Sequence, residues 1–304
     1  MIMSRIFSKI LFSFILTICI SISYSQDSLR SDTRLNLKEH PPLEIPLRYS
    51  GTYGELRPNH FHAGVDLKTQ EREGFPVYAV EDGFLSRIKV ETGSYGKVIY
   101  LDHPELSKTT VYAHLNRFSP KIQSYIKGEQ YLHQTYEIQR YLRPSQIPVK
   151  KGEIIGYSGN TGNSFGPHLH FEVRDRESEE PMNPLQFGLE AADNDPPTIQ
   201  GFYLYESEKP EAVTTFENRT MIALKTVEER IHYSATDTIS VQGYYSFGIQ
   251  SFDRLDLSAN KNGWYRLELM RNDSLFSELT IDRFNFTENP LINRSIDYQF
   301  YETS

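Results

Sequence analysis

Between Ile45 and Phe187 the chain repeats one pattern, a short apolar run followed by glycine or aspartate. The runs read PVYAV, GFLSRIKV, KVIYLDH, TTVYAHL, EIIGYSG and HLHFEV. No long amphipathic helix interrupts them, so this part of the chain is expected to be mostly β and antiparallel. In GFLSRIKV, alternation puts Phe84, Ser86, Ile88 and Val90 on one face and Leu85, Arg87 and Lys89 on the other. That pattern suits a half-buried antiparallel strand. Turn signals such as Glu81-Asp82-Gly83 and Thr92-Gly93 separate the runs.

One segment departs from the plan. From 118 to 149 the chain reads as an insertion, opened by Ser119-Pro120 in the manner of an N-cap and a first helical residue. Ile122, Tyr125 and Ile126 then recur at helical spacing, which predicts a short helix followed by a Tyr-rich extended stretch to Pro144. The segment is either one wall of a substrate groove or a surface elaboration. After Phe187 the texture changes at Asp193-Asn194-Asp195-Pro196-Pro197, so residues 191–198 are expected to be a linker. Residues 199–304 return to strand-type runs, with WYRLELM and LFSELTI flanking Arg271-Asn272-Asp273-Ser274 as a hairpin. This region reads as a β-sandwich-like accessory domain without a cluster of ligands, His232 being its one histidine. It stops at DYQFYETS without a terminating element and so reads as incomplete.

The N-terminus pairs Arg5 and Lys9 with an apolar run from Ile10 to Ile22, followed by small Ser23 and Ser25. This predicts a secretory signal peptide, residues 1–25, cut after Ser25. The apolar run is shorter than the roughly 20 residues of a membrane span, and bulky Ile18 before Cys19 argues against a lipid anchor. Residues 26–43, ending in Pro41-Pro42, read as a polar, poorly ordered lead-in to a domain over 44–190. Cleavage would remove 25 of the 304 residues, the chain's one cysteine, and two positive charges, taking the net charge from -8 to -10. Thiol nucleophiles, disulfides and cysteine-based zinc sites are then excluded, and a metal site must use His, Asp and Glu. The acidic balance argues against nucleic acid as a partner.

Two features carry chemistry. In GNTGNSFGPHLHFEV, His168 and His170 lie two apart, so on a strand both rings project from one face. For an isolated HxH the plain explanation is two solvated histidines. Upstream, NHFHAGVD sets His62 and Asp66 four apart around Gly64. With one histidine of the HxH pair these supply two imidazoles and a carboxylate, the donor set of a catalytic zinc site that keeps an open position. His60 competes for the same role, being two residues from His62. Between the two features VYAHLN offers His114, which alone would pass for a packed or surface histidine. Hydrolysis, however, needs groups to manage the proton of water and to steady an oxyanion. Gly64 is expected to relieve crowding between ligands, Gly159, Gly162 and Gly166 to permit tight turning, and Pro167 to stiffen the start of the strand.

Taken in order, HAGVD, YAHL and GNTGNSFGPHLHFEV resemble the lysostaphin-type, or LytM-type, zinc endopeptidases that cut peptidoglycan. The resemblance covers about Ile45 to Phe187. It implies an antiparallel β metallopeptidase domain with one zinc per chain on His62, Asp66 and His170. It also implies catalytic roles for His168, as general base, and for His114, as the residue that orients water or stabilises the tetrahedral intermediate. His60 is then a spectator. The 118–149 insertion is longer than in the simplest members, which bears on substrate fit. The implied protein is a secreted, periplasmic or extracellular peptidoglycan endopeptidase without a lasting membrane anchor. A non-catalytic regulator of wall hydrolases is the alternative, and such members typically lose metal ligands. A β adhesin with coincident histidines would have to explain three ordered motifs. His40 in the lead-in is a remote candidate for blocking the site.

Overall fold

A computed structural model describes residues 35–58, 60–189, 193–207, 219–227, 232–236, 239–256, 258–271, 273–290, 296–297 and 300. The expected signal peptide, with Cys19, lies outside the described residues. Among those described, no helix is long and apolar enough to cross a membrane.

The fold is mostly β and antiparallel. Its centre is a nine-stranded sheet in which Tyr49–Gly51, Val65–Lys68, His168–Asp175, Lys108–Ala113, Lys97–His103, Gly83–Val90 and Ile138–Tyr141 follow one another. Pro148–Val149 and Pro181–Met182 add short pairings to this path. The strand His168–Asp175 is flanked on both sides, and its residues 169–174 are all buried. Leu169, Phe171 and Val173 enter the main apolar core, while His170, Glu172 and Arg174 share the opposite face.

Two expectations are corrected. The alternation in GFLSRIKV is broken, because pairing with Lys97–His103 slips between Leu85 and Arg87. That bulge resets the side-chain period, so Leu85 joins Ile88 and Val90 in one core. The lead-in is also not uniformly loose. Leu35, Leu37 and Leu43 are buried in the same core, and the Leu37 amide donates to the Phe187 carbonyl at 2.8 Å. Three leucines are enough to dock residues 35–43 on the domain, while residues 26–34 of the lead-in lie outside the described residues. His40 is exposed and is not among the residues of the candidate metal group, His62, Asp66 and His170.

The insertion contains the expected helix, Pro120–His133, anchored by buried Ile122 and Ile126. Ser119 occupies the N-cap with extended backbone but makes no side-chain capping bond. The stretch beyond it is structural, since Ile138–Tyr141 pairs with Gly83–Val90 and lengthens the sheet. Downstream, Thr198–Ser207 pairs with Tyr244–Phe252 and Arg219–Ile222, and Leu224–Val227 with His232–Ala235. The predicted hairpin is Arg266–Arg271 with Ser274–Thr280. Thr198, placed in the linker by the sequence, already belongs to a strand.

Candidate metal centre

Register builds the site. His170 sits opposite Asp66 on one neighbouring strand and opposite Ala113 on the other. The ligand-type side chains and His114, which follows Ala113, are therefore brought together across adjacent strands. His62 arrives from the short connection before Val65–Lys68. Gly64 in that connection is needed for a reason other than ligand crowding. A Cβ there would lie 2.3 Å from the Phe171 carbonyl oxygen, so only glycine lets the connection lie against the central strand. Of the turn glycines, Gly162 has φ +75, and Gly159 packs against the backbone of Asn116. Gly166 meets nothing within 4 Å and has no steric need to be glycine.

Three donor atoms converge. His62 Nε2 lies 3.1 Å and His170 Nδ1 2.9 Å from Asp66 Oδ1, and the two nitrogens are 3.0 Å apart. His62, Asp66 and His170 are all buried and form a group that could hold a metal ion. The remaining ring nitrogens are committed elsewhere. His62 Nδ1 faces the Thr52 carbonyl at 2.8 Å, and His170 Nε2 faces Glu172 Oε1 at 2.8 Å. Each partner accepts a proton on the outer nitrogen and leaves the inner lone pair for a metal. The donor set of two neutral imidazoles and one carboxylate therefore fits an ion such as zinc.

Electrostatics agree with that fit. Burial would raise the Asp66 pKa, but the His62 charge and hydrogen bonds from His168, His170 and His62 hold it well below the usual carboxylate range. Burial would lower that of His170, yet hydrogen bonds to Asp66 and Glu172 raise it to about 9. The two buried carboxylates thus favour positive charge at His170. Burial acts on Glu172 against Arg174 and His170, which together keep the Glu172 carboxyl ionised. Arg174 Nε donates to Glu172 Oε2 at 2.5 Å and the Tyr95 hydroxyl donates to Oε1 at 2.5 Å. On the other side, Arg57 Nη2 donates to Asp66 Oδ2 at 3.1 Å.

His168 and His114 stand beside the cluster, their ring centroids 4.8 Å apart. His168 Nδ1 faces the Gly166 carbonyl at 2.8 Å, leaving Nε2 at 3.5 Å from Asp66 Oδ1. His114 Nδ1 faces the Thr161 carbonyl at 2.8 Å. The backbone of His114 is left-handed, with φ +57, a conformation costing a non-glycine residue about 1–2 kcal/mol. Such strain concentrates at functional sites. Burial and the charges of His170 and His168 push its pKa down to about 3, so the ring is neutral at pH 7. All five sequence candidates are therefore brought together. His60 is exposed and bonds only locally, its Nδ1 facing the Pro58 carbonyl at 2.8 Å.

Sequence reasoning missed Glu172 and Arg174, although both lie at period two from His168 and His170 and were legible as one polar strand face. It also missed Thr52 and Thr161, which act through backbone carbonyls and leave no side-chain signature.

Residues 60–140 and 125–184 match Peptidase family M23. The chain carries a domain of that family. The DD-carboxypeptidase/endopeptidase Mpg of Neisseria meningitidis serogroup B is 33% identical over 128 residues, or 42% of this chain and 23% of the relative. The peptidoglycan DD-endopeptidase ShyA of Vibrio cholerae serotype O1 is 31% identical over 131 residues, or 40% of this chain and 22% of that protein. The chain thus spans less than a quarter of these relatives' length. Among solved structures, the catalytic domain of lysostaphin from Staphylococcus simulans aligns with 26% identity and a TM-score of 0.33. That alignment covers 46% of this chain and 91% of the other.

Proposed function

We propose that the protein is a secreted zinc metalloendopeptidase that hydrolyses peptide bonds in peptidoglycan stem peptides or cross-links. The observation that carries this reading is the convergence of His62 Nε2, His170 Nδ1 and Asp66 Oδ1 beside two further anchored imidazoles. The names of the relatives, two of them endopeptidases acting on D,D bonds, support the choice of substrate. Zinc held by these residues supplies a Lewis acid that polarises a carbonyl and acidifies water.

The chain's own residues manage the proton. His168, with Nδ1 anchored at the Gly166 carbonyl, directs Nε2 toward Asp66 and, in its neutral form, takes the proton of the attacking water there. His114 has its one proton committed to the Thr161 carbonyl. Its free Nε2 is therefore an acceptor, suited to orienting water, and a neutral His114 cannot donate to an oxyanion. The two rings come from paired strands, His168 opening His168–Asp175 and His114 following Lys108–Ala113, and this fixed pairing limits the entropy of aligning them with substrate.

The test uses the purified protein without its first 25 residues. About one zinc per chain is expected, with none in a His62→Ala variant. Incubation with purified peptidoglycan is expected to release soluble peptides, and His168→Ala to release none while keeping its zinc. Equal release by the two proteins, or no release by zinc-loaded wild type, overturns the enzyme reading; the second outcome supports a regulator of other wall hydrolases. Mass analysis of the fragments identifies the bond.

A further inference from the structure

The matched peptidase segment ends at residue 184, yet the shell around both imidazole ligands extends far beyond it. Residues 258–263 run along the strand Tyr49–Gly51, which forms the end of the large sheet. Ser258 Oγ donates to the Tyr49 carbonyl at 2.9 Å and Asn260 Nδ2 to the Ser50 carbonyl at 3.3 Å. The Gly263 amide donates to Thr52 Oγ1 at 3.2 Å. Thr52 is the residue whose carbonyl orients His62.

Residues 281–289 grip the other end of the same loop. Ile281 fills the space where a Cβ on Gly54 would sit, its Cγ2 being 2.4 Å from that position, and Gly54 has φ +74. Phe284 packs against Tyr53 and Phe61, with ring centroids at 5.4 and 5.6 Å. Asn289 Oδ1 accepts from the Phe61 amide at 3.4 Å. The Phe286 ring lies under the Arg174 guanidinium at 4.8 Å. Arg174 holds Glu172, and Glu172 holds His170.

We propose that residues 258–263 and 281–289 are positioning elements of the metal site, fixing His62 through the Tyr49–Thr52 backbone and His170 through Phe286, Arg174 and Glu172. The accessory region is then part of the peptidase centre. Loss of an outer partner of a ligand imidazole typically costs 10–100-fold in metal affinity. A cation over an aromatic face adds to the fixing of Arg174, because the guanidinium is almost wholly desolvated. The proposal rests on the metallopeptidase reading, but its main readout, zinc affinity, needs no turnover.

Zinc affinity is measured on the full chain by competition with a chelator, alongside thermal unfolding and peptidoglycan release. The variants are Phe286→Ala, Phe286→Tyr and the pair Ser258→Ala with Asn260→Ala. Leu275→Ala, at the exposed tip of the hairpin, is the control. Phe286→Ala and the Ser258/Asn260 pair are expected to fold and to weaken zinc about 10–100-fold, with lower kcat. Phe286→Tyr, which keeps the ring, is expected to stay within about threefold of wild type, as is Leu275→Ala. Folded variants with wild-type affinity overturn the proposal, as does a loss in Phe286→Ala that Phe286→Tyr fails to restore. Wild-type protein that binds no zinc overturns both readings. Protein that binds zinc but cleaves nothing defeats only the peptidase reading, and the affinities still decide the positioning role.

Discussion

At the scale of single residues, the site is held by groups that never touch a metal. Glu172 is fully buried between His170 and Arg174, so its carboxylate both fixes a ligand ring and neutralises a guanidinium. Glu172→Gln keeps the shape but leaves Arg174 as an uncompensated buried charge, which costs about 3–5 kcal/mol. It is expected to lower the thermal midpoint and to weaken zinc about 10–100-fold, measured by melting and by chelator competition. His114 separates strain from chemistry. Both His114→Ala and His114→Gly are expected to keep zinc and to lose about 10²–10⁴-fold in kcat on peptidoglycan fragments. Because φ is +57, the glycine variant should melt higher than the alanine one, by about 1 kcal/mol in unfolding free energy. Equal melting would show that the left-handed turn stores no strain. Four of the central residues were legible as candidates because chemistry-bearing side chains stand in short motifs, His62 with Asp66 and His168 with His170, and His114 only by its place between them. Thr52 and Thr161 were not, because a carbonyl oxygen is common to every residue and only the tertiary fold aims it.

At the scale of elements, local pattern foretold strands, helix and hairpin but not their irregularities. The hairpin of Arg266–Arg271 with Ser274–Thr280 follows from two β-type runs and a polar turn, and Asp273 takes φ +61 there. The bulge in GFLSRIKV was hidden because its cause is the partner strand, in which Tyr100 and Leu101 face Arg87 and Leu85 across the slipped register. Docking of Leu35, Leu37 and Leu43 was hidden for a related reason, since three apolar residues in a polar run carry no period. The helix Pro120–His133 was legible through Ile122 and Ile126, its two buried side chains, each 1% exposed. With so narrow an apolar face the helix depends on both. Ile126→Ala is expected to cost about 2–5 kcal/mol, read by denaturant unfolding, while zinc affinity stays at the wild-type value. A matching loss of zinc would couple the helix to the metal centre, a link that no hydrogen bond or ion pair among the described residues makes directly.

At the scale of the whole molecule, the buried ionisable groups set a pH window. His114 has its pKa pushed down to about 3 in the folded chain and burial lowers that of His103, while both titrate near 6.5 when unfolded. The unfolded chain therefore binds more protons as pH falls below 6.5, and stability drops by up to about 1.4 kcal/mol per pH unit for each such group. Asp66 and Glu172, both depressed, lose their contribution in the same direction once pH falls through the unfolded carboxylate range near 4. His170 acts oppositely. Its proton, held to about 9, contributes fully below 6.5 and is lost as pH rises through 9. Asp193 acts in the same direction as His170 but at lower pH, partly offsetting the histidine acid limb, because burial and the charges of Asp253, Asp256 and Asp195 raise its pKa to about 7. It thus costs stability as pH climbs from the unfolded carboxylate value to 7. Metal-stripped protein is expected to melt highest near pH 6 and lower at both pH 5 and pH 9. Zinc should steepen the contrast between the limbs. A cation in place of the His170 proton removes the alkaline loss at the site, so the zinc-induced rise in thermal midpoint should grow from pH 6 to pH 8. A rise that shrinks over that range would mean that the metal and the proton do not compete for His170.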